Sequence, residues 1–596
     1  MRSAYLFVPD VLEQVAESIG RLPRIELTEP WAMQKHGLWS LGLGASLSVP
    51  ASETIGTETR WYVVFDPSDT SVTIFPANVG GIATTFQHQS FNAAAFGDLP
   101  WRQGNPCLQR QAFVFGRTRW VDQSNDIKEK ILWFVERLLV WIDAAATDTL
   151  VVAGEPFELP AGPGQASFPL IGFTGSQGDL AFWATQTTSW GWADLVKVPR
   201  AASTYAVTTF RSIDRKPIFE AKWGALIAST SPSRQAIWIA LDRLPVTSPW
   251  ELPRTWSSLR AQLASMGVDL QDILIQAGAE RRRTSRYADG LTLLIGFPIA
   301  SLIGEPPSRF HWLALDNVPL ASAGSKRNGF RPVEKSRRLL DGVQAMSNAP
   351  LNWLKSSSWD SVELRTRAGK DNDVPAKKVL VIGAGSLGSA VSENLVRMGV
   401  TNVGIMDADR IDVGNLTRHA LGMDAVGHNK ALALASALNL TMADADAVGF
   451  ATSFPPSDQE TLDRIRLFDV IVDCSGSDVV LEALSAFEWG SEKLFVSLGV
   501  TWKAEGLLVY TASEVSFPVI DAKERFNDFD TPPIDFDEAH VEGVGCWHPV
   551  FPADAADMRL WAAVGTKAIV RAIRSPERRC EYFTQNPDGT VERQDV

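Results

Sequence analysis

Cysteine is scarce: four residues in a chain of 596, Cys107, Cys474, Cys546 and Cys580, and no two form a C-x-x-C pair. That excludes a zinc site of the usual spacing and a disulfide scaffold. Each thiol stands alone, either packed or chemically used. Long apolar runs are missing too, with nothing near the ~20 residues that span a bilayer. Residues 5–8 are too short for the apolar core of a signal peptide and stop at Pro9-Asp10. A cytoplasmic chain with no membrane partner is expected. Positive charge is in deficit: 56 Lys and Arg against 69 Asp and Glu give a net charge of −13. That argues against a nucleic-acid groove. The short basic clusters Arg281-Arg282-Arg283 and 335–338 read as solvated loop or helix faces.

What is present is ordinary globular composition, 45% hydrophobic and 21% charged, at a length that predicts several domains. The most informative stretch begins KKVLVIGAGSLGSAVSENLVRMGV. Residues 379–382 are a continuous aliphatic run, the pattern of a strand buried on both faces. Gly383, Gly385 and Gly388 follow as G-x-G-x-x-G, and then Leu387, Val391 and Leu395 recur at helical spacing. Strand, glycine turn and helix together predict a phosphate seated on a helix N-terminus. A second apolar run, 403–406, ends at Asp407, where an acid can accept both hydroxyls of a ribose. These features alone fit any Rossmann nucleotide site, an NAD-binding oxidoreductase included. Asn415, Arg418 and Lys430 narrow the reading. An amide, a guanidinium and an ammonium in one short segment suit a triphosphate held while its α-phosphorus is attacked.

The run D-x-D…N-L-x-R…G-x-x-K resembles the ThiF, MoeB and ubiquitin-activating superfamily, over about 376–574. That resemblance implies adenylation of a protein C-terminus with ATP and Mg2+. It implies nucleotide contacts from Gly383, Gly385, Gly388, Asp407, Asp409, Asn415, Arg418 and Lys430, with Arg418 also catalytic. Residues 468–472 read as a further buried strand leading to Asp473-Cys474-Ser475-Gly476-Ser477-Asp478. Superfamily members often carry D-x-T-D there, the later acid holding magnesium. Here Gly476 stands at that position, which leaves Asp473 and Asp478 as the candidate nucleotide and metal acids, with Cys474 packed beneath. Superfamily members also often carry paired cysteines, which this chain lacks. Residues 513–550 read as a long acidic, proline-dotted loop. In the resembling enzymes such a crossover loop bears the thioester cysteine, which assigns that part to Cys546, beside His548. The chain is expected to close with a helix over 555–573, and Cys580, near a polar tail, to be incidental.

Upstream, 9–21 reads as a helix, 31–49 as strand and turn, and 60–65 with 71–75 as a hairpin. After an irregular segment holding Cys107, 127–146 has apolar residues at helical spacing behind a cap at Asn125 or Asp126. This order resembles a ubiquitin-conjugating enzyme, whose catalytic cysteine lies in such a segment and is commonly followed by Leu. Here the segment reads Gly104-Asn105-Pro106-Cys107-Leu108. The family's His-Pro-Asn signature is absent, so His88, Asn92 and Asn105 stay open as the oxyanion donor. Residues 160–164 mark a boundary, and 369–375 a hinge. Strands over 236–241 and 291–295 and helices over 256–266 and 270–276 make the middle a mixed α/β domain without a catalytic constellation.

The expected protein is multidomain α/β. It has an α+β ubiquitin-conjugating-like domain (1–159), a mixed α/β linker or docking domain (160–368) and a Rossmann-like adenylating domain (369–596). That order resembles the conjugating–activating fusion proteins of bacterial CBASS anti-phage operons. The resemblance implies activation of the C-terminus of a cGAS/DncV-like nucleotidyltransferase. It also implies relay through Cys546 and Cys107 to a target lysine, and a homodimer through the adenylating domains. Three other readings remain open: a ThiF/MoeB-like adenylyltransferase for a sulfur carrier, an NAD-binding oxidoreductase, and an inactive scaffold. The first leaves Cys107 without use, and the second leaves Asn415, Arg418 and Lys430 without use.

Overall fold

The computed structural model describes residues 8–595 except 96, 109–110, 115–116, 122–123, 125, 164–165, 188, 248, 285–289, 323–324, 326–330, 332, 367–375, 528, 530–539, 542–547 and 550–552. The chain divides into two compact units. Met1–Lys197, Ala201–Phe219 and Pro232–Ser357 form the first; Val198–Arg200, Glu220–Ser231 and Ser358–Val596 form the second.

The first unit begins with α1 (Val8–Ile19) and an antiparallel meander of β1 (Ile25–Met33), β2 (Trp39–Ser46), β3 (Glu58–Asp66) and β4 (Ser71–Pro76). An irregular segment bearing Cys107 follows, then a two-stranded hairpin of Gln111–Val114 and Arg117–Val121 where the expected segment was irregular throughout, and then α2 (Ile127–Ala146). The spacing of Ile131, Phe134, Val135, Leu138, Leu139 and Ile142 predicts one apolar face, and all six are buried. They pack with Leu12, Val15 and Ile19 of α1 and with Leu41, Trp61 and Val63 of the sheet. Asp126 caps α2 by accepting from the Glu129 N–H at 2.9 Å.

The rest of this unit centres on β5 (Ala166–Phe173), β6 (Trp190–Lys197), β7 (Thr204–Arg211), β8 (Pro217–Glu220), β9 (Arg234–Ala240), β10 (Leu291–Ile299), β11 (Arg309–Leu315) and β12 (Trp353–Ser358). Their order is β8-β7-β5-β12-β11-β10-β9-β6, and an extra β6–β7 pairing closes seven of them into a ring. Trp238, Phe210, Phe310 and Trp312 crowd around Trp183 in one aromatic cluster. Helices α3 (Trp256–Ala264) and α4 (Leu270–Thr284) cover a second core on Ile237, Leu293 and Trp353. One expectation is corrected here. Arg282 of the basic cluster is not solvated: its side chain is 8% exposed and pairs with Glu334 at 2.8 Å and with fully buried Asp341 at 2.9 Å. Apolar burial of the α4 face brings this arginine inward, and two carboxylates meet it there.

The second unit is doubly wound. Its strands are β13 (Val379–Ile382), β14 (Asn402–Met406), β15 (Asp446–Phe450), β16 (Val470–Asp473), β17 (Lys493–Val500), β18 (Gly506–Glu514), β19 (Arg579–Gln585) and β20 (Val591–Asp595). They lie in the order β15-β14-β13-β16-β17-β18-β19-β20. The first five run parallel and the rest antiparallel. Helix α5 (Ser386–Met398) follows β13, α6 (Lys430–Thr441) follows the crossover after β14, and α7 (Ala555–Arg574) packs its buried face on α5 and the sheet. The strand order reverses between β13 and β16, and ligands of open parallel sheets bind at such a switch.

Three further expectations change here. The chain does not close on its last helix, because β19 and β20 extend the sheet beyond α7. Cys580 is therefore not incidental: it lies on β19, 3% exposed, in the core beside Tyr510. The expected loop over 513–550 begins instead with the end of β18 and a helix, Val519–Asn527. Cys546 lies outside the described residues.

Candidate active site

The glycine turn sits at the carboxyl end of β13. Ile382 and Asp473 are register partners, so the turn lies against the segment leaving β16. Gly383 has φ +92°, and a Cβ there would stand 2.9 Å from the backbone of Cys474 and Ser475. At Gly388 a Cβ would fall 1.9 Å from the Gly383 carbonyl oxygen. Gly385 differs from both. Its φ is −77°, and nothing lies within 4 Å of where its Cβ would point. Neither strain nor packing demands glycine there, and the open space adjoins the N-terminus of α5. A triphosphate would fill that cradle against a helix end that favours anions.

The loop after β14 supplies polar groups. Asp407 accepts the Ala384 N–H and the Asp409 N–H, both at 2.8 Å. Asp409 meets Lys430 Nζ at 3.0 Å, with the lysine side chain 13% exposed. Asn415 accepts the Asp412 N–H at 3.0 Å and closes a reciprocal cap on a short helical turn. Arg418 lines a hollow of about 130 Å³ with Glu393, Asn394 and Arg559 from α5 and α7. Asp407, Asp409 and Lys430 are not among the residues lining that hollow. The structure thus gathers the turn, Asp407, Asp409 and Lys430, and sets Arg418 along the flank of α5.

Asp473 is buried, and both carboxylate oxygens are occupied. Ser475 donates its N–H and hydroxyl to one, and the Ser497 hydroxyl donates to the other at 2.9 Å. Burial outweighs these bonds and raises its pKa above the usual carboxylate range. Asp478 is exposed and lies 3.7 Å from Lys523. The two acids expected to hold magnesium are therefore not paired, and among the described residues no group of three His, Cys, Asp or Glu side chains could hold a metal. Cys474 packs against the core, and burial pushes its thiol up, as an inert thiol should be.

Cys107 is exposed. Its loop runs antiparallel to 86–92: Cys107 N–H donates to the His88 carbonyl at 2.6 Å, and Ser90 N–H to the Asn105 carbonyl at 3.0 Å. Gly104 is glycine for close approach, since a Cβ would stand 2.6 Å from Asn92. Asn92 is fully buried; its amide donates to the carbonyls of Ile82 and Thr84 and accepts from Arg102. His88, at φ +54°, is held by Glu158 through its N–H at 3.1 Å and its Nδ1 at 3.2 Å. Asn92 and His88 are thus engaged. The half-buried Asn105 side chain makes no hydrogen bond among the described residues.

One residue that bonds the glycine turn carried no signal in the sequence. His419 Nε2 donates to the Ala384 carbonyl at 2.7 Å, while its Nδ1 accepts the Leu421 N–H at 3.1 Å. A lone histidine after Arg418 has no periodicity or spacing that marks it.

The Cap2 central linker domain family matches residues 148–359 and the ThiF family matches 365–482. The ATP-dependent ubiquitin transferase-like protein Cap2 of Enterobacter hormaechei subsp. hoffmannii (strain UCI 50) is 45% identical over 589 residues, 98% of each chain. The chain belongs to the Cap2 family. It is an ATP-dependent ubiquitin transferase-like enzyme whose C-terminal part is a ThiF adenylating domain. Adenylyltransferase and sulfurtransferase MOCS3 of Bos taurus is 35% identical over 101 residues, 17% of this chain and 22% of that one. A crystal structure of Escherichia coli MccB with ATP overlays on 37% of this chain and 64% of its own at 16% identity, with a TM-score of 0.27. Among the described residues no helix is long and apolar enough to cross a membrane.

Proposed function

We propose that this enzyme activates the C-terminal carboxylate of a protein with ATP and relays the acyl group over two thiols to an amine. The open cradle at Gly385, on a helix N-terminus, in a chain of this family, carries the reading. The carboxylate attacks the α-phosphorus and pyrophosphate leaves, with Lys430 and Arg418 meeting the developing charge. The Cys546 thiolate then takes the acyl carbon and releases AMP. Cys107 receives the acyl group by transthiolation and frees the Cys546 thiolate. A target lysine amine finally attacks, loses a proton to solvent and leaves Cys107 as thiolate, with an amide formed. Asn105 is the oxyanion donor for that last step, since Asn92 and His88 are engaged elsewhere.

The acyl donor we infer from the resemblance is a cGAS/DncV-like nucleotidyltransferase, in CBASS defence. A cytoplasmic homodimer joined through the adenylating domains, and magnesium arriving with the triphosphate, belong to the same reading. Pyrophosphate exchange into ATP tests the first step. We expect exchange with the intact donor and none with a donor lacking its last residues. Exchange that ignores the donor C-terminus would contradict the reading.

A further inference from the structure

We propose that His419 is a positioning residue for ATP: it fixes the peptide plane between Ala384 and Gly385, and so aims the Gly385 N–H at the phosphate cradle. The peptide unit is planar and trans, so its carbonyl and its N–H point in opposite directions. Anchoring the Ala384 oxygen on His419 Nε2 at 2.7 Å turns the Gly385 N–H the other way. That N–H has no hydrogen-bond partner among the described residues. Asp407 takes the Ala384 N–H at 2.8 Å, so the residue between two glycines is held at both ends.

The tautomer is set by the protein. Leu421 N–H donates to Nδ1, which must be unprotonated to accept it, so the proton resides on Nε2 and donates to Ala384. His419 is 7% exposed, and burial keeps its pKa below the ordinary value, so the ring is neutral. The charged groups facing it are Lys430, which lowers that pKa further, and Asp407, which opposes it. His419 N–H also bonds the Asn415 carbonyl at 2.9 Å, and Ala420 N–H bonds the Ser389 hydroxyl of α5 at 3.2 Å. The ring therefore ties the segment bearing Asn415 and Arg418 to the turn.

The test compares His419→Leu, which cannot donate, with His419→Gln, whose amide can. ATP affinity of the full chain is measured by calorimetry, and KM and kcat by pyrophosphate exchange. We expect His419→Leu to weaken ATP binding and raise its KM at least tenfold, with kcat and the KM for the acyl donor changed far less. His419→Gln should recover most of that loss. The inference rests on the turn being the ATP site, which the unaltered chain tests separately. If the unaltered chain binds no ATP, both readings fall. If it binds ATP and His419→Leu binds equally well, only the positioning role falls. Losses in both variants that follow thermal stability, with kcat and all KM values moving together, would also overturn that role.

Discussion

Gly385 and Gly388 share one fingerprint and have different tasks. A Cβ at Gly388 collides with the Gly383 oxygen at 1.9 Å, whereas a Cβ at Gly385 meets no protein atom within 4 Å. Gly388→Ala should therefore destabilise the adenylating unit by about 1–3 kcal/mol, the usual cost of forcing an atom into packed space. Gly385→Ala should change stability by less than about 0.5 kcal/mol, as a substitution into open space does, yet weaken ATP binding severely. Thermal unfolding and ATP titration on both variants check this; equal ATP affinities with a stability loss at Gly385 would contradict it. The glycines were legible because three of them at fixed spacing form a pattern. Asp407 was legible as an acid at a strand end, and the structure adds that it bonds the turn itself. His419 was not legible, because its effect comes from a backbone contact across 35 positions. Asn105 was one of three candidates, and only the contacts of Asn92 and His88 distinguish it.

At the scale of elements, periodicity served amphipathic helices best. α2 matches its apolar spacing residue for residue, because one face meets core and the other water. The middle sheet was less legible. Its strands are apolar on both sides, so alternation is lost and neither pairing order nor ring closure can be read from them. β11 shows the consequence. His311 sits in this strand opposite Phe297, with its ring edge-on to Phe173 at 5.0 Å and Nε2 buried without a partner among the described residues. Burial, aided by Arg309, lowers its pKa to about 3. The sign follows directly. In the unfolded chain the ring takes a proton below about pH 6.5, and in the folded chain it does not. Its stabilising contribution is full above about pH 6.5 and falls by roughly 1.4 kcal/mol per pH unit below it, down to the folded value. His311→Leu should flatten the fall in unfolding free energy between pH 6.5 and 5 by that slope. Parallel profiles for the two proteins would contradict the assignment.

For the whole molecule, the glycine turn and an exposed thiol stand in different compact units of one chain. The adenylating fold was legible from one stretch, 377–440, because glycine turns and strand-end acids are local chemistry. The identity of the acyl donor was not, since no residue pattern names a partner's tail. The relay turns on the order of two thiols, and a thioester trap reads that order directly. The chain is incubated with ATP, magnesium and a cGAS/DncV-like nucleotidyltransferase, then run on a non-reducing gel beside Cys107→Ala and Cys546→Ala. A relay from Cys546 to Cys107 yields a thiol-sensitive adduct that persists in Cys107→Ala and vanishes in Cys546→Ala. Donor-dependent pyrophosphate exchange without a thiol-sensitive adduct in any form, or an adduct that survives Cys546→Ala, would contradict it.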